Sequence, residues 1–203
     1  GRRRVQLPNL EPATAEAAPD LPFTFVKNPS GQPIQMFHGT AETFQKFSIE
    51  KAKPALYGKG LYFTDAPDIA EGYAKGTGVV KSVYLDIRNP FVVNKIFSRE
   101  EVVDFISKLR KAIPYSSEES FAAAFPKIAN LSRKPTSIDG DTLYSIISDK
   151  ADDTVEALKE MGYDGLSYKG GLLLGGKKHN VWVAFSESQV SDISEKAVGG
   201  ARA

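Results

Sequence analysis

The chain has 203 residues, of which 41% are apolar and 25% charged, and its net charge is +1. These values suit one globular domain, alone or with an appendage, and they create no overall field that attracts nucleic acid or a membrane. The absence of cysteine excludes disulfide scaffolds, thiol nucleophiles and cysteine-rich zinc sites. No apolar run approaches the roughly 20 residues that a membrane helix needs.

The two ends of the chain differ in composition from its middle. Residues 1–22 are rich in proline, alanine, glutamate and arginine without a hydrophobic period, which predicts a flexible N-terminal arm or linker. Gly1 and the abrupt onset of the sequence indicate a fragment of a longer polypeptide. We expect one domain over residues 23–195 and a disordered C-terminal tail over residues 196–203.

Three strands and one helix are predicted in the first half of that domain. QMF (35–37) forms a short strand that leads into the next two residues, His-Gly, and LYFT (61–64) forms a short buried strand. Pro67 then opens a helix that runs to about Lys75. VVKSVYLDI (79–87) is rich in β-branched residues and partly alternating, which predicts another strand.

A helical block is predicted between about residues 98 and 150. Ser98 and Glu101 match a capping box ahead of a helical apolar stripe, and Ser116 and Glu119 suggest a second cap. Pro126 divides the helix that follows, because proline cannot continue the ladder of backbone hydrogen bonds. A further apolar stripe marks a third helix before the block ends.

The chain then returns to strands. Asp152 or Asp153 caps a last helix, which Gly162 ends. GYDGLSY (162–168) and VWVAF (181–185) predict two closing strands. A helical block between two strand-rich parts predicts an α+β fold rather than a regularly alternating parallel sheet.

His38 is the first candidate for a binding site. A lone histidine is more often structural than functional, but this one ends an apolar strand and precedes Gly39, where the backbone can approach a ligand closely. A neutral imidazole can donate a hydrogen bond to a sugar hydroxyl, and Thr40 adds a hydroxyl nearby. The other histidine, His179, lies between polar residues and is expected at the surface.

The second candidate is the stretch YGKGLYFTDAPDIAEGYA (57–74). Its simplest interpretation is a glycine turn followed by core aromatics. For Phe63, a role in the core is as good an interpretation as a role in binding. Gly60 nevertheless leaves room for a ligand beside the backbone, and Tyr62 and Tyr73 lie across a strand-to-helix turn, where two aromatic faces can sandwich a flat ring. The sequence contains neither a dinucleotide-binding glycine fingerprint in a βαβ setting nor a P-loop.

Together, HGT (38–40) and GKGLYFTD followed by a helix ending in AEGY resemble the ADP-ribosyltransferase domain of the diphtheria-toxin and poly(ADP-ribose) polymerase clan. The flanks are similar to bacterial and phage members that are modules of polyvalent proteins or effector toxins. GYDGLSY and VWVAFSESQV (181–190) resemble the late strands of the family. The resemblance covers about residues 33–93 and 155–193. It implies a split antiparallel β-sheet core in which the block at 98–150 is a helical insertion without a counterpart.

The resemblance also implies NAD as the co-substrate and no metal. His38 would bond to ribose hydroxyls, and Gly39 and Thr40 would hold the nicotinamide carboxamide. Tyr62 and Tyr73 would stack around the nicotinamide ring. The implied NAD-binding residues are His38, Gly39, Thr40, Gly60, Leu61, Tyr62, Phe63, Ala70 and Tyr73.

Members of this family commonly carry a glutamate just before the last strand, and this chain has Val181 at that position, preceded by Asn180. Three alternatives follow. A local bulge brings Asn180 into a catalytic set with His38 and Tyr62; Glu187 supplies the carboxylate in a different register; or the domain binds NAD and transfers slowly or not at all.

The function that the resemblance implies is an NAD-dependent mono-ADP-ribosyltransferase. It would release nicotinamide and modify a macromolecular acceptor, a protein rather than a nucleic acid, with no membrane partner. We expect an effector, toxin or phage-delivered modifier that acts in the cytoplasm of the producing or target cell. The rival hypotheses are a catalytically impaired module that binds NAD or ADP-ribose, a transferase that modifies nucleic acid, and a structural appendage in which His38 and the tyrosines only pack.

Overall fold

A computed structural model describes residues 26–134, 136–151, 153–171 and 176–197. The arm expected at residues 1–22 lies outside this part, as does Asp152. The elements are β1 (Met36–Thr40), β2 (Leu61–Thr64), α1 (Pro67–Tyr73), β3 (Val79–Leu85), β4 (Pro90–Val92), β5 (Ile96–Phe97), α2 (Arg99–Ala112), α3 (Glu118–Ala124), α4 (Pro126–Arg133), β6 (Ile138–Asp139), α5 (Gly140–Ser148), α6 (Thr154–Glu160), β7 (Gly165–Gly170), β8 (His179–Ala184) and β9 (Val190–Ala197).

The main sheet has seven strands in the order β4-β7-β8-β2-β1-β3-β9. All neighbours are antiparallel except β4 and β7. Within the described residues, β1 and β2 share one Cα pairing, Phe37 with Thr64, whereas β1 and β3 pair over five residues. The sheet is therefore close to dividing into two halves between β1 and β2, and the α+β class predicted from the sequence is confirmed.

The helical block forms as predicted, with one cap displaced by a residue. The Ser98–Glu101 capping box begins α2, and Pro126 separates α3 from α4. The second cap is Ser117, whose hydroxyl accepts from the Ser120 backbone N–H at 3.2 Å. The prediction of Ser116 and Glu119 was therefore wrong by one position, because the repeated serines offer the same capping chemistry to either register.

The two larger of three hydrophobic clusters among the described residues cover the two faces of the sheet, and the third packs α1 on β3. The largest one joins the helical block to β7 and β8, with Phe105, Leu143 and Leu158 among its fully buried residues. The second contains Met36 and Phe63 and packs under the loop that connects β1 to β2. The strands that carry the candidate residues are thus fixed from both sides. None of the described helices is long and apolar enough to cross a membrane.

The end of the chain differs from the prediction. VWVAFSESQV does not form one final strand, because β8 ends at Ala184 and a 3-10 turn at Glu187–Gln189 leads into β9. β9 extends to Ala197, two residues into the segment expected as a tail, and residues 198–203 lie outside the described part. Asp153 caps α6, as one of the two predicted alternatives.

Gln189 holds the turn between β8 and β9. Its side-chain oxygen accepts from the backbone N–H groups of Phe185 and Ser186, each at 2.9 Å. Its amide donates to the carbonyl oxygens of Asp86 at 3.2 Å and Asp164 at 2.7 Å. One side chain therefore joins the connections at one end of the sheet, on both sides of the division between β1 and β2.

We expect Gln189→Ala to lower the free energy of unfolding by about 2–3 kcal/mol, because four backbone groups lose their partner and a net hydrogen bond contributes about 1 kcal/mol. Urea unfolding followed by circular dichroism measures the loss. Glu187→Ala, an exposed change in the same turn, is the matched control and should cost less than about 0.5 kcal/mol. Equal effects of the two substitutions would contradict this role of Gln189.

Candidate functional site between β1 and β2

A pocket of about 140 Å³ opens where β1 and β2 part. Ligand pockets commonly measure about 300–1,000 Å³, so this one suits a single ring rather than a whole dinucleotide. It brings together six of the residues that the sequence proposed, and six others complete it. The lining residues are Phe37, His38, Gly39, Tyr62, Phe63, Thr64, Ile69, Ala70, Tyr73, Tyr168, His179 and Val181.

The His38 side chain connects the two strands where their pairing ends. Its Nδ1 lies 2.8 Å from the carbonyl oxygen of Tyr62. A carbonyl oxygen only accepts hydrogen bonds, so Nδ1 carries the proton and, in the neutral ring, Nε2 is an acceptor. The ring is held edge-on against Phe44 and Phe47, with centroids 6.0 and 5.4 Å away. Neutral His38 thus offers a fixed acceptor to a hydroxyl, and not the donor that the sequence suggested.

The environment keeps His38 neutral. Burial lowers the pKa of its imidazole below the ordinary 6.5, the hydrogen bond to the Tyr62 carbonyl opposes this, and the positive charge of Lys81 lowers the pKa further. Lys81 is the residue opposite His38 on β3, and it is buried with an ion pair to Asp192 at 2.9 Å. A cation beside the imidazole disfavours a second positive charge, so Nε2 keeps its lone pair at neutral pH.

Tyr62 is held by its hydroxyl, which leaves its ring as the part that faces the pocket. The hydroxyl donates to the Gly58 carbonyl oxygen at 2.9 Å and accepts from the Tyr57 backbone N–H at 3.1 Å. Burial raises the pKa of Tyr62, so the hydroxyl stays protonated. The ring of Tyr57 in turn lies against Tyr144 of α5, with centroids 5.0 Å apart, and the Tyr57 hydroxyl donates to Asp141 at 3.1 Å. The helical block therefore supports the wall that Tyr62 forms.

Helix α1 forms the opposite wall. A Cβ atom on Gly39 would lie 1.7 Å from the Ala70 carbonyl oxygen, so only glycine lets this helix pack on β1. Tyr73 is the last residue of α1 and is 69% exposed. Its ring lines the pocket from the solvent side. The pocket thus has one fixed aromatic wall and one exposed aromatic wall.

Three of the proposed NAD-binding residues have structural contacts instead of a place in the lining. The Thr40 hydroxyl accepts from the Glu42 backbone N–H at 3.2 Å and so stabilises the turn after β1. Leu61 is buried in the core. A Cβ atom on Gly60 would lie 2.3 Å from Val183, so this glycine makes room for a neighbouring strand rather than for a ligand.

The structure does not bring Asn180 into the pocket. β8 pairs with β2 and β7 in unbroken register, so the bulge that this role required is absent from the described strand. The Asn180 side chain bonds to Asp65 and Lys169, while Val181 lines the pocket. Successive residues of a strand face opposite sides, which explains the difference. Glu187 is exposed beyond the far end of β8.

Tyr168 and His179 are among the six lining residues that the sequence did not propose. Tyr168 on β7 lies opposite Val181, and its ring contacts that of Tyr57 at 4.7 Å. His179 was expected at the surface, but it is the first residue of β8 and is half-buried in the lining. The two-residue period of HNVWVA carries the signal, because His179 shares a face with Val181.

A larger cavity, of about 630 Å³, lies in the helical block. Lys127, Arg133 and Lys134 surround its apolar floor, but none of the described residues that line it is aromatic or a histidine. It therefore lacks the groups that the candidate chemistry uses, and the site is assigned to the smaller pocket. Among the described residues, no group of three or more histidine, aspartate and glutamate side chains is placed to hold a metal.

Comparison with known proteins identifies one family. The model of the family described as "ADP-Ribosyltransferase in polyvalent proteins" matches residues 28–199 of this chain, which is well over half of its length. No curated protein and no solved structure matches the chain.

The lowered pKa of His38 predicts a pH dependence of stability. Between the lowered pKa and 6.5, the unfolded chain binds more protons than the folded one. The stability of the folded state therefore does not suffer from the burial of His38 above about pH 6.5, and it falls as the pH falls through that window. We expect wild type to lose more stability than His38→Gln between pH 7.5 and 5, as measured by urea unfolding at each pH. A difference between the two proteins that is constant with pH would contradict the burial of a neutral imidazole.

Proposed function

This chain belongs to the family of ADP-ribosyltransferases in polyvalent proteins, and from that premise we propose that it transfers a single ADP-ribose from NAD to a protein. Nicotinamide is the other product. The observation that carries the proposal is the convergence of His38, Tyr62 and Tyr73 on one pocket at the division of the sheet. The acceptor side chain is left open.

His38 binds the nicotinamide ribose in this proposal. Its Nε2 is an acceptor because Nδ1 donates to the Tyr62 carbonyl. A ribose hydroxyl therefore donates to Nε2, and the imidazole neither repels nor neutralises the positive charge that develops on the sugar. Burial and Lys81 both keep the ring in this state, since both lower the pKa of His38.

The nicotinamide ring lies between Tyr62 and Tyr73. The pocket of about 140 Å³ holds one ring, so the adenosine part of NAD extends outside it. Tyr73 is exposed. The nicotinamide ring of NAD is a positively charged pyridinium. Because aromatic faces attract cations, the Tyr73 ring is expected to stack on it.

The chemistry requires little from the protein beyond holding these groups. The bond between nicotinamide and ribose already has a cationic leaving group, and the transition state resembles an oxocarbenium ion. No carboxylate is among the described residues that line the pocket, and Val181 stands where the family commonly has glutamate. We therefore propose one slow transfer for each acceptor and no long polymer, since a growing chain needs its ribose hydroxyl activated again at every step.

The lack of a carboxylate among the described lining residues favours one alternative function. A domain that stacks the nicotinamide ring and binds the ribose, but lacks a group to stabilise the transition state, recognises NAD or ADP-ribose without turnover. Nicotinamide release separates the two functions, because a binding module gains stability from NAD but releases no nicotinamide.

We expect NAD at 100 times its Kd to raise the free energy of unfolding by about 2.7 kcal/mol, with slow nicotinamide release measured by chromatography. Tyr73→Ala should weaken the affinity for NAD about 3–10-fold, because a stacked aromatic pair contributes about 0.5–1.5 kcal/mol. Tyr73 is exposed, so the loss reports binding rather than folding.

Tyr73→Phe keeps the ring and should bind NAD as wild type does, whereas Val103→Ala, an exposed change on α2, controls for general effects. Calorimetric titration gives each Kd. The proposal is wrong if NAD does not stabilise the wild-type protein, or if Tyr73→Ala and Tyr73→Phe bind it equally.

A further inference from the structure

A second histidine lies on the wall of the pocket with no role in the proposed binding of NAD. His179 begins β8 opposite Gly170 of β7, and it shares its face of the sheet with Val181. Both residues line the pocket. The position where the family commonly has a carboxylate is thus apolar, and an imidazole lies two residues before it on the same side of the strand.

The orientation of His179 leaves one ring nitrogen for a ligand. Its Nδ1 lies 2.8 Å from the Lys177 carbonyl oxygen, which can only accept, so Nδ1 carries the proton and Nε2 of the neutral ring has a free lone pair. The imidazole packs on Gly170, where an added Cβ atom would be 2.3 Å from Nε2, so only glycine at this position of β7 leaves room for the ring.

The residue that orients His179 is itself held. The Lys177 ammonium donates to both carboxylate oxygens of Asp68, at 2.9 and 2.8 Å, in the first turn of α1. The same helix carries Tyr73 at its other end. The carbonyl that fixes the imidazole is therefore connected to the helix that forms the exposed wall of the pocket.

Few other groups in the lining can accept a proton at neutral pH. Burial raises the pKa of Tyr168 to about 12 and that of Tyr62 as well, so both hydroxyls stay protonated. The lining, within the described part of the chain, contains no carboxylate. The Nε2 of His38 is used by the ribose in the proposed complex. His179 is the basic group that is left.

We infer that His179 is the general base that removes the proton from the acceptor, and that the acceptor is a hydroxyl group. This inference rests on the proposed function and names the chemical class of its second substrate. A hydroxyl suits an imidazole because it must lose its proton as it attacks, and histidine exchanges protons near neutral pH.

The transfer needs no reactant besides NAD and the acceptor. The acceptor oxygen forms a bond to C1′ of the nicotinamide ribose, and its proton passes to Nε2 of His179. The bond from C1′ to the ring nitrogen breaks, and its electron pair converts the pyridinium to neutral nicotinamide. The imidazolium then releases its proton to solvent, so one proton appears for each nicotinamide.

The test uses the wild-type chain with NAD and with water as the acceptor, which yields ADP-ribose and nicotinamide. His179→Ala should lower kcat for nicotinamide release about 100-fold, the usual contribution of a general base, and leave the KM and Kd for NAD nearly unchanged. Added imidazole should restore part of the rate. His179→Gln should be as slow but should not respond to imidazole, because its side chain fills the site. Lys178→Ala, an exposed neighbour, controls for changes in the loop.

The outcomes separate the two proposals. Wild-type release with a slow, rescued His179→Ala supports the inference. Wild-type release that His179→Ala and His179→Gln leave intact overturns the inference and spares the proposed function. Loss of kcat together with loss of NAD binding assigns His179 a structural role, which also overturns it. A wild-type protein that binds NAD without releasing nicotinamide overturns both.

Discussion

One hydrogen bond, from His38 to the carbonyl oxygen of Tyr62, spans the gap at which the candidate pocket opens. β1 and β2 pair at Phe37 and Thr64 and then separate, and the imidazole bridges the gap. Because the bond uses Nδ1, it fixes which nitrogen faces a ligand and whether that nitrogen donates or accepts. Burial lowers the pKa of the imidazole and keeps the ring uncharged, and the positive charge of Lys81 beside it lowers the pKa further. Geometry and protonation of the site thus have the same origin.

The remainder of the fold packs against both sides of this gap. α1 packs on Gly39 on one side, and Tyr57 holds the Tyr62 hydroxyl on the other. Tyr57 is supported by Tyr144 from the helical block. At the far end of the sheet, Gln189 joins the turn after β8 to Asp86, beyond the division, and to Asp164, which precedes β7. The helical block, for which the family resemblance offered no counterpart, therefore supports one wall of the pocket.

The sequence predicted the parts of the site that depend on local chemistry. His38 lies within β1, Tyr62 within β2 and Tyr73 at the end of α1, and glycine and proline lie close to each of these short elements, so their positions follow from short stretches of chain. The place of His179 depends on which face of β8 meets β7, and its neighbours in the chain, Lys178 and Asn180, suggest a polar loop. β9 was missed for a related reason, because it is an edge strand with many polar residues and only pairing with β3 identifies it. The first strand and helix, and the approximate places of β7 and β8, could thus be assigned from pattern, whereas the face that β8 presents and the edge strand β9 could not.

The central claim is that the gap between β1 and β2 holds the nicotinamide end of NAD. A crystal structure with an NAD analogue whose nicotinamide bond cannot break tests it most directly. The account predicts the nicotinamide ring between Tyr62 and Tyr73, with a ribose hydroxyl about 2.8 Å from Nε2 of His38. An analogue bound elsewhere, for example in the basic cavity of the helical block, or bound in the gap with Nε2 of His38 in contact with no atom of it, would contradict the account.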